Sequence, residues 1–129
     1  MIVGAVNEYR EAIIRLVIHG LNGKKQVIEA VIDTGFNGSI CLPSALIAML
    51  ELPFRSRGRA ILADGSETIF DIYEATVIWD GRPRRVAVDE ADTDALIGMS
   101  LLYGYELQIQ VINGGTVFIN MLPEQKLPT

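Results

Sequence analysis

Along most of this chain, apolar and polar positions alternate in short runs that end at turn residues. Residues 12–19 (AIIRLVIH) and 26–32 (QVIEAVI) are rich in Ile and Val, with Asn22-Gly23 between them. Asn-Gly between β-branched runs predicts a hairpin, because both residues tolerate positive φ. Residues 60–63 and 67–72 flank Asp64-Gly65, residues 76–79 and 84–89 flank Asp80-Gly81, and residues 106–112 and 116–121 flank Asn113-Gly114-Gly115. Four such signals in a chain of this length predict an all-β barrel or sandwich. Two segments depart from the pattern. Residues 43–50 (PSALIAML) have Ala, Leu and Met without Thr, Tyr or Phe and read as a short helix opening near Pro43. Residues 98–103 (GMSLLY) read as one or two helical turns.

Composition narrows the class. The chain has 129 residues, 50% hydrophobic and 21% charged, which fits one domain and excludes a disordered chain. A domain this long buries enough surface to fold without a disulfide or metal staple, so no cofactor is expected. Its single cysteine, Cys41, excludes an internal disulfide and any multi-cysteine zinc site. A net charge of −5 argues against nucleic acid as a partner, since counterion release needs clustered Lys and Arg. No apolar run reaches the ~18–20 residues needed to span a membrane. The first residues carry no basic segment before an apolar run, so no signal peptide is read and a cytoplasmic location is expected. The high apolar share points to surface covered by a second copy. The tail after Leu122 (PEQKLPT) is expected to fray.

The chemistry centres on Asp33-Thr34-Gly35, which closes the apolar run 30–32. An acid there is expensive to bury without donors, which favours a working carboxylate over an incidental turn. Gly35 permits a tight turn, and Thr34 brings a hydroxyl able to tie neighbouring backbone. Residues 31–35 (VIDTG) resemble the active-site motif of aspartic proteases. Ala95-Leu96-Ile97-Gly98, followed by Leu101-Leu102, resembles that family's second landmark, and the Asp64-Gly65 hairpin lies where retroviral members carry a flap. The match runs over residues 12–121 and is nearest to the small prokaryotic retropepsin-like (clan AA) proteases, whose Asp-Thr-Gly-Phe and following Leu-Pro are similar to residues 33–36 and Leu42-Pro43.

The resemblance implies a single domain over residues 1–129 with a core of about 12–121, folded as a closed acid-protease-like barrel of short hairpins with one or two short helices. It also implies an endopeptidase that needs two carboxylates. The chain holds one Asp-Thr-Gly and no Asp-Ser-Gly, so the second must come from a two-fold-related copy, making the homodimer part of the expectation. Asp33 is then the catalytic acid, Thr34 and Gly35 form its loop, and peptide is bound by Phe36, Ile97 and the flap residues Asp64, Gly65 and Ser66. Two departures stand out. Phe36 follows the glycine where most members have Ala, Ser or Thr, which removes a donor to the carboxylate and moves the expected pH optimum toward neutral. The flap stretch 61–67 (ILADGSE) has an acidic tip instead of a glycine-rich one. The alternative reading is a retropepsin-like dimer used for binding or scaffolding without proteolysis.

Other constellations carry less. The only histidine, His19, reads as a solvated strand-end residue, and Cys41, between Ile40 and Leu42, as a core residue and not a nucleophile. The acidic run 89–94 (DEADTD) lacks the glycine and downstream glutamate of a calcium loop and reads as a solvated loop. Arg55, Arg57 and Arg59, and Arg82, Arg84 and Arg85, either guard strand edges or hold an acidic substrate, the first being the plainer reading. Asn37-Gly38-Ser39 matches a glycosylation sequon that has no use without secretion. Neither glycine-rich phosphate loop occurs.

Overall fold

The computed structural model describes residues 1–123 and is all-β with two short helices. Strands β1 (Ile2–Val6), β2 (Ala12–His19), β3 (Lys25–Ile32) and β4 (Ile40–Leu42) lead to α1 (Ser44–Met49). Then come β5 (Phe54–Ile61), β6 (Glu67–Trp79), β7 (Arg82–Glu90), β8 (Leu96–Ile97), α2 (Met99–Leu102), β9 (Tyr105–Ile109) and β10 (Thr116–Met121). The sheet order β6-β7-β4-β8-β3-β2 closes through a second β2–β6 pairing, which makes a six-stranded barrel. β5 extends from β6 as a hairpin arm, and β1, β10 and β9 continue the sheet beyond β2. The expected fraying of the tail falls on residues 124–129, outside those described, apart from Pro123.

The four hairpins form where turn residues stand. Asn22 and Gly23 have φ of 54° and 71°, and Asp80 and Gly81 have 53° and 79°, the doubly positive pair that a type I′ turn requires. At Asp64-Gly65 only the glycine is positive (86°), with Leu62 and Ser66 closing the loop through Leu62 N–H to the Ser66 carbonyl at 2.8 Å.

Several expected bounds change. β6 is one strand of 13 residues, so the second and third hairpins share it; nothing between Ile72 and Thr76 is a Gly or Pro that would stop it. β5 begins at Phe54, well before the expected start at residue 60, and β9 ends at Ile109. β1, β4 and β8 were not expected from the pattern. The acidic run is not wholly a loop, because β7 continues through Glu90, paired in parallel with Leu42. β5 is an outer strand, and β7 pairs with β4 only at residues 88–90, so both arginine clusters lie on stretches with one side unpaired.

Alternation fills the barrel. Ile14, Leu16 and Ile18 of β2, Val77 and Trp79 of β6, and Val86 and Val88 of β7 are buried. So are Ile40 and Leu42 of β4 and Ile97 of β8. Ile47 and Leu50, and Leu101 and Leu102, bring the two helices onto this core. Each fully buried Ile or Leu contributes about 1.5–3 kcal/mol relative to exposure. No helix of the described residues is long and apolar enough to cross a membrane.

Candidate active site

β3 delivers Asp33 to the edge of the barrel. Its ladder with β8 continues one residue past the strand, the Asp33 amide donating to the Ile97 carbonyl at 2.8 Å. The chain then reverses: the Phe36 amide donates to the Asp33 carbonyl at 3.1 Å, and the Gly35 amide to the Asp33 Oδ1 at 2.9 Å. The carboxylate is half-buried, while Thr34 and Gly35 are exposed at the tip. One backbone donor therefore orients the acid and leaves its other oxygen without a partner among the described residues.

The two landmarks read from the sequence meet directly. β8 lies between β3 and β4, pairing Ile32 with Ile97 on one side and Ile40 with Ile97 on the other. Beyond it, the start of α2 grips the loop 36–39. The Gly98, Met99 and Ser100 amides donate to the carbonyls of Ser39 (3.0 Å), Phe36 (2.8 Å) and Gly38 (3.1 Å), and the Ser100 hydroxyl donates to the Asn37 carbonyl at 2.5 Å. Gly98 is required for this approach: a β-carbon there would stand 2.5 Å from the Phe36 carbonyl oxygen and 2.6 Å from its ring. From the far side, the Arg84 guanidinium donates to the Leu101 and Ser100 carbonyls at 3.2 and 3.3 Å, holding the helix's last turn.

Phe36 sits in the wall of a cleft of about 630 Å³ together with Cys41, Ala60, Thr68, Phe70 and Asp89. Asp33 does not line that cleft, and neither do Asp64, Gly65 and Ser66. Those three form the exposed tip of the β5–β6 arm. There the Asp64 Oδ1 accepts from the Ser66 hydroxyl (2.5 Å) and amide (2.9 Å), which holds its carboxyl below the usual value and fixes the turn. Ile97, expected as a subsite wall, is fully buried. Its two-residue strand points the side chain into the core, so it serves the site through its backbone carbonyl alone.

Cys41 is buried, and burial, with the Asp89 carboxylate second, pushes its thiol up to about 11, the opposite of an activated nucleophile. Asp89 itself is raised by burial. Among the described residues, no group of three His, Cys, Asp or Glu side chains is placed to hold a metal ion. Ser100 carries no motif, and Arg84 and Asp89 stand in charge clusters that gave no sign of these contacts; the pairing of distant strands brings them to the loop 36–39 and α2.

Comparison with known proteins gives the fold. No family model matches the sequence, and no curated protein does. Among solved structures, a retropepsin-like aspartic protease from Rickettsia conorii superposes with a TM-score of 0.60 at 17% identity, covering 95% of this chain and 91% of that one. The EIAV protease, complexed with an inhibitor, gives 0.54 at 18% identity, covering 74% and 88%. The fold is retropepsin-like.

Proposed function

We propose that this chain is an aspartic endopeptidase that works as a homodimer, with Asp33 of each subunit forming one dyad. The reading rests on the Asp33-Thr34-Gly35 turn, which sits at the end of β3 and is braced by β8 and α2 within a retropepsin-like fold. One carboxylate, ionised, takes a proton from a shared water, whose oxygen attacks the scissile carbonyl carbon; the other, protonated, gives its proton to the carbonyl oxygen. Collapse of the tetrahedral intermediate breaks the C–N bond and delivers a proton to the leaving amine. Two carboxyls about 3 Å apart cannot both ionise, which keeps one proton on the pair. Thr34 ties the two turns together, and the β5–β6 arm, with Asp64, Gly65 and Ser66 at its tip, closes over an extended peptide. Ile61, Leu62 and Ile69 are exposed on that arm and supply apolar contact to such a substrate.

Digestion of a mixed peptide library by wild type and by Asp33→Asn tests the reading. Cleavage by wild type, blocked by a transition-state mimic and reduced at least ~1,000-fold in the variant, is expected. Equal cleavage by both proteins removes the dyad. Partner binding without cleavage by either turns the molecule into a binding module.

A further inference from the structure

The cleft beside Phe36 is apolar along one side and acidic at one end. Phe36, Cys41, Ala60 and Phe70 line it, and Asp89, Glu90 and Asp92 stand where β7 leaves the barrel. A volume of about 630 Å³ falls in the range of small-ligand pockets and accommodates a long side chain. Asp71 also borders it, but its carboxylate is already 3.5 Å from the Arg57 guanidinium. Asp89, Glu90 and Asp92 have no Lys or Arg within 4.0 Å and no side-chain hydrogen bond among the described residues.

Asp89 is the inner member. It is half-buried, and its Oδ2 would stand 3.1 Å from a β-carbon on Gly38, which places it against the loop that follows the Asp33 turn. Its neighbour across the ladder is Cys41, 5% exposed, whose uncharged thiol has no hydrogen-bond partner among the described residues. A half-buried carboxylate with neither donor nor cation is costly, and a cation reaching it from the cleft removes that cost. The arginines of β5 do not serve. Arg57 is paired with Asp71, and neither it nor the exposed Arg59 comes within 4.0 Å of Asp89, Glu90 or Asp92.

We propose that this cleft is a specificity pocket for a basic residue of the substrate, its methylene stem lying on Phe36 and Phe70 and its charge meeting Asp89 and Glu90. The proposal rests on the peptidase reading and adds the substrate class: extended peptides with a lysine or arginine near the cleaved bond. A neutral side chain of the same length forfeits the charge contact, and an acidic one is repelled.

The test uses labelled extended peptides with lysine, arginine, norleucine or glutamate scanned through a neutral sequence, titrated into Asp33→Asn protein by fluorescence anisotropy. At one position the basic residues are expected to bind about tenfold tighter than norleucine, with glutamate weakest. Adding Asp89→Asn and Glu90→Gln brings the ratio near one, whereas Asp89→Glu, which keeps the charge, retains the preference. Glu90→Gln alone, at a half-buried strand end, lowers the ratio partway and guards against misfolding of the double variant. No basic preference at any position, or a preference unaltered by these substitutions, overturns the pocket. Digestion of the same peptides by wild type reports separately on the peptidase: preference without cleavage keeps the pocket and removes the enzyme, and cleavage without preference does the reverse.

Discussion

Among the described residues the Asp33 carboxylate meets a single donor, the Gly35 amide, within a three-residue turn that the sequence displays openly. The turn was legible because its own hydrogen bonds join residues 33–36; only the bond from the Asp33 amide to the Ile97 carbonyl reaches a distant strand. Ile97 was not, because its direction is set by a two-residue strand wedged between β3 and β4, a pairing no local pattern announces. Asp89 and Cys41 are neighbours for the same reason, through a parallel ladder. Two predictions follow from their environment. With the Cys41 thiol near 11, its thiolate is scarce at pH 8, and labelling of native protein by a disulfide reagent is expected to run at least ~100-fold slower than in denaturant. Comparable rates in the two conditions would mean an open, ionised thiol. Burial raises the Asp89 pKa, so the folded state binds that proton more tightly than the unfolded one. Folding is then penalised above the folded-state pKa, and the penalty disappears as pH falls below the unfolded value near 4. Asp89→Asn is expected to melt above wild type at pH 7 and level with it by about pH 3; a gap independent of pH contradicts the assignment.

At the level of elements, turns were easier to read than strand ends. Asn22-Gly23 and Asp80-Gly81 take the positive φ values their residue types favour, so the hairpins formed where the pattern put them. β6 ran on through residues 73–75 because no breaker interrupts it, and β4 and β8 are too short to show any period. α2 shows what only the folded chain reveals. It has no side-chain cap at its start, and its amides are spent on the loop 36–39 while Arg84 holds its other end. Replacing Arg84 by Met removes two charge-assisted hydrogen bonds from a partly exposed site and is expected to cost about 1–2 kcal/mol in denaturant unfolding. Arg84→Lys, unable to reach both carbonyls with one planar group, recovers less than half of that. If the loop 36–39 is the element being braced, kcat falls more than stability accounts for; unchanged kcat with lower stability makes Arg84 a purely structural brace. Gly98→Ala acts on the other end of the same helix and, by forcing backbone away from the Phe36 carbonyl, is expected to cost about 1–3 kcal/mol or more.

For the whole molecule the decisive quantity is the number of Asp-Thr-Gly turns per chain, which is one. Apolar surface remains uncovered around β1, β9 and β10, with Val3, Ile109 and Met121 exposed there and Val111 and Ile112 in the loop that joins β9 to β10. Area of that kind is commonly claimed by a partner. The proposed pairing of two chains across a two-fold axis would give each active unit two acids, and it has a quantitative signature when one chain is disarmed. Suppose wild type and Asp33→Asn exchange subunits freely and a dimer with one asparagine is inactive. One equivalent of variant then leaves about half of the original activity, and three equivalents leave about a quarter, because only wild-type pairs cleave. A chain that works alone keeps all its activity in the same mixtures. Dilution gives an independent check: specific activity should fall as concentration drops below the dimer dissociation constant, in step with the sedimentation coefficient. Activity that persists in a species sedimenting as a monomer of 14.2 kDa would mean that Asp33 works without a twin from a second chain, and would overturn the shared dyad.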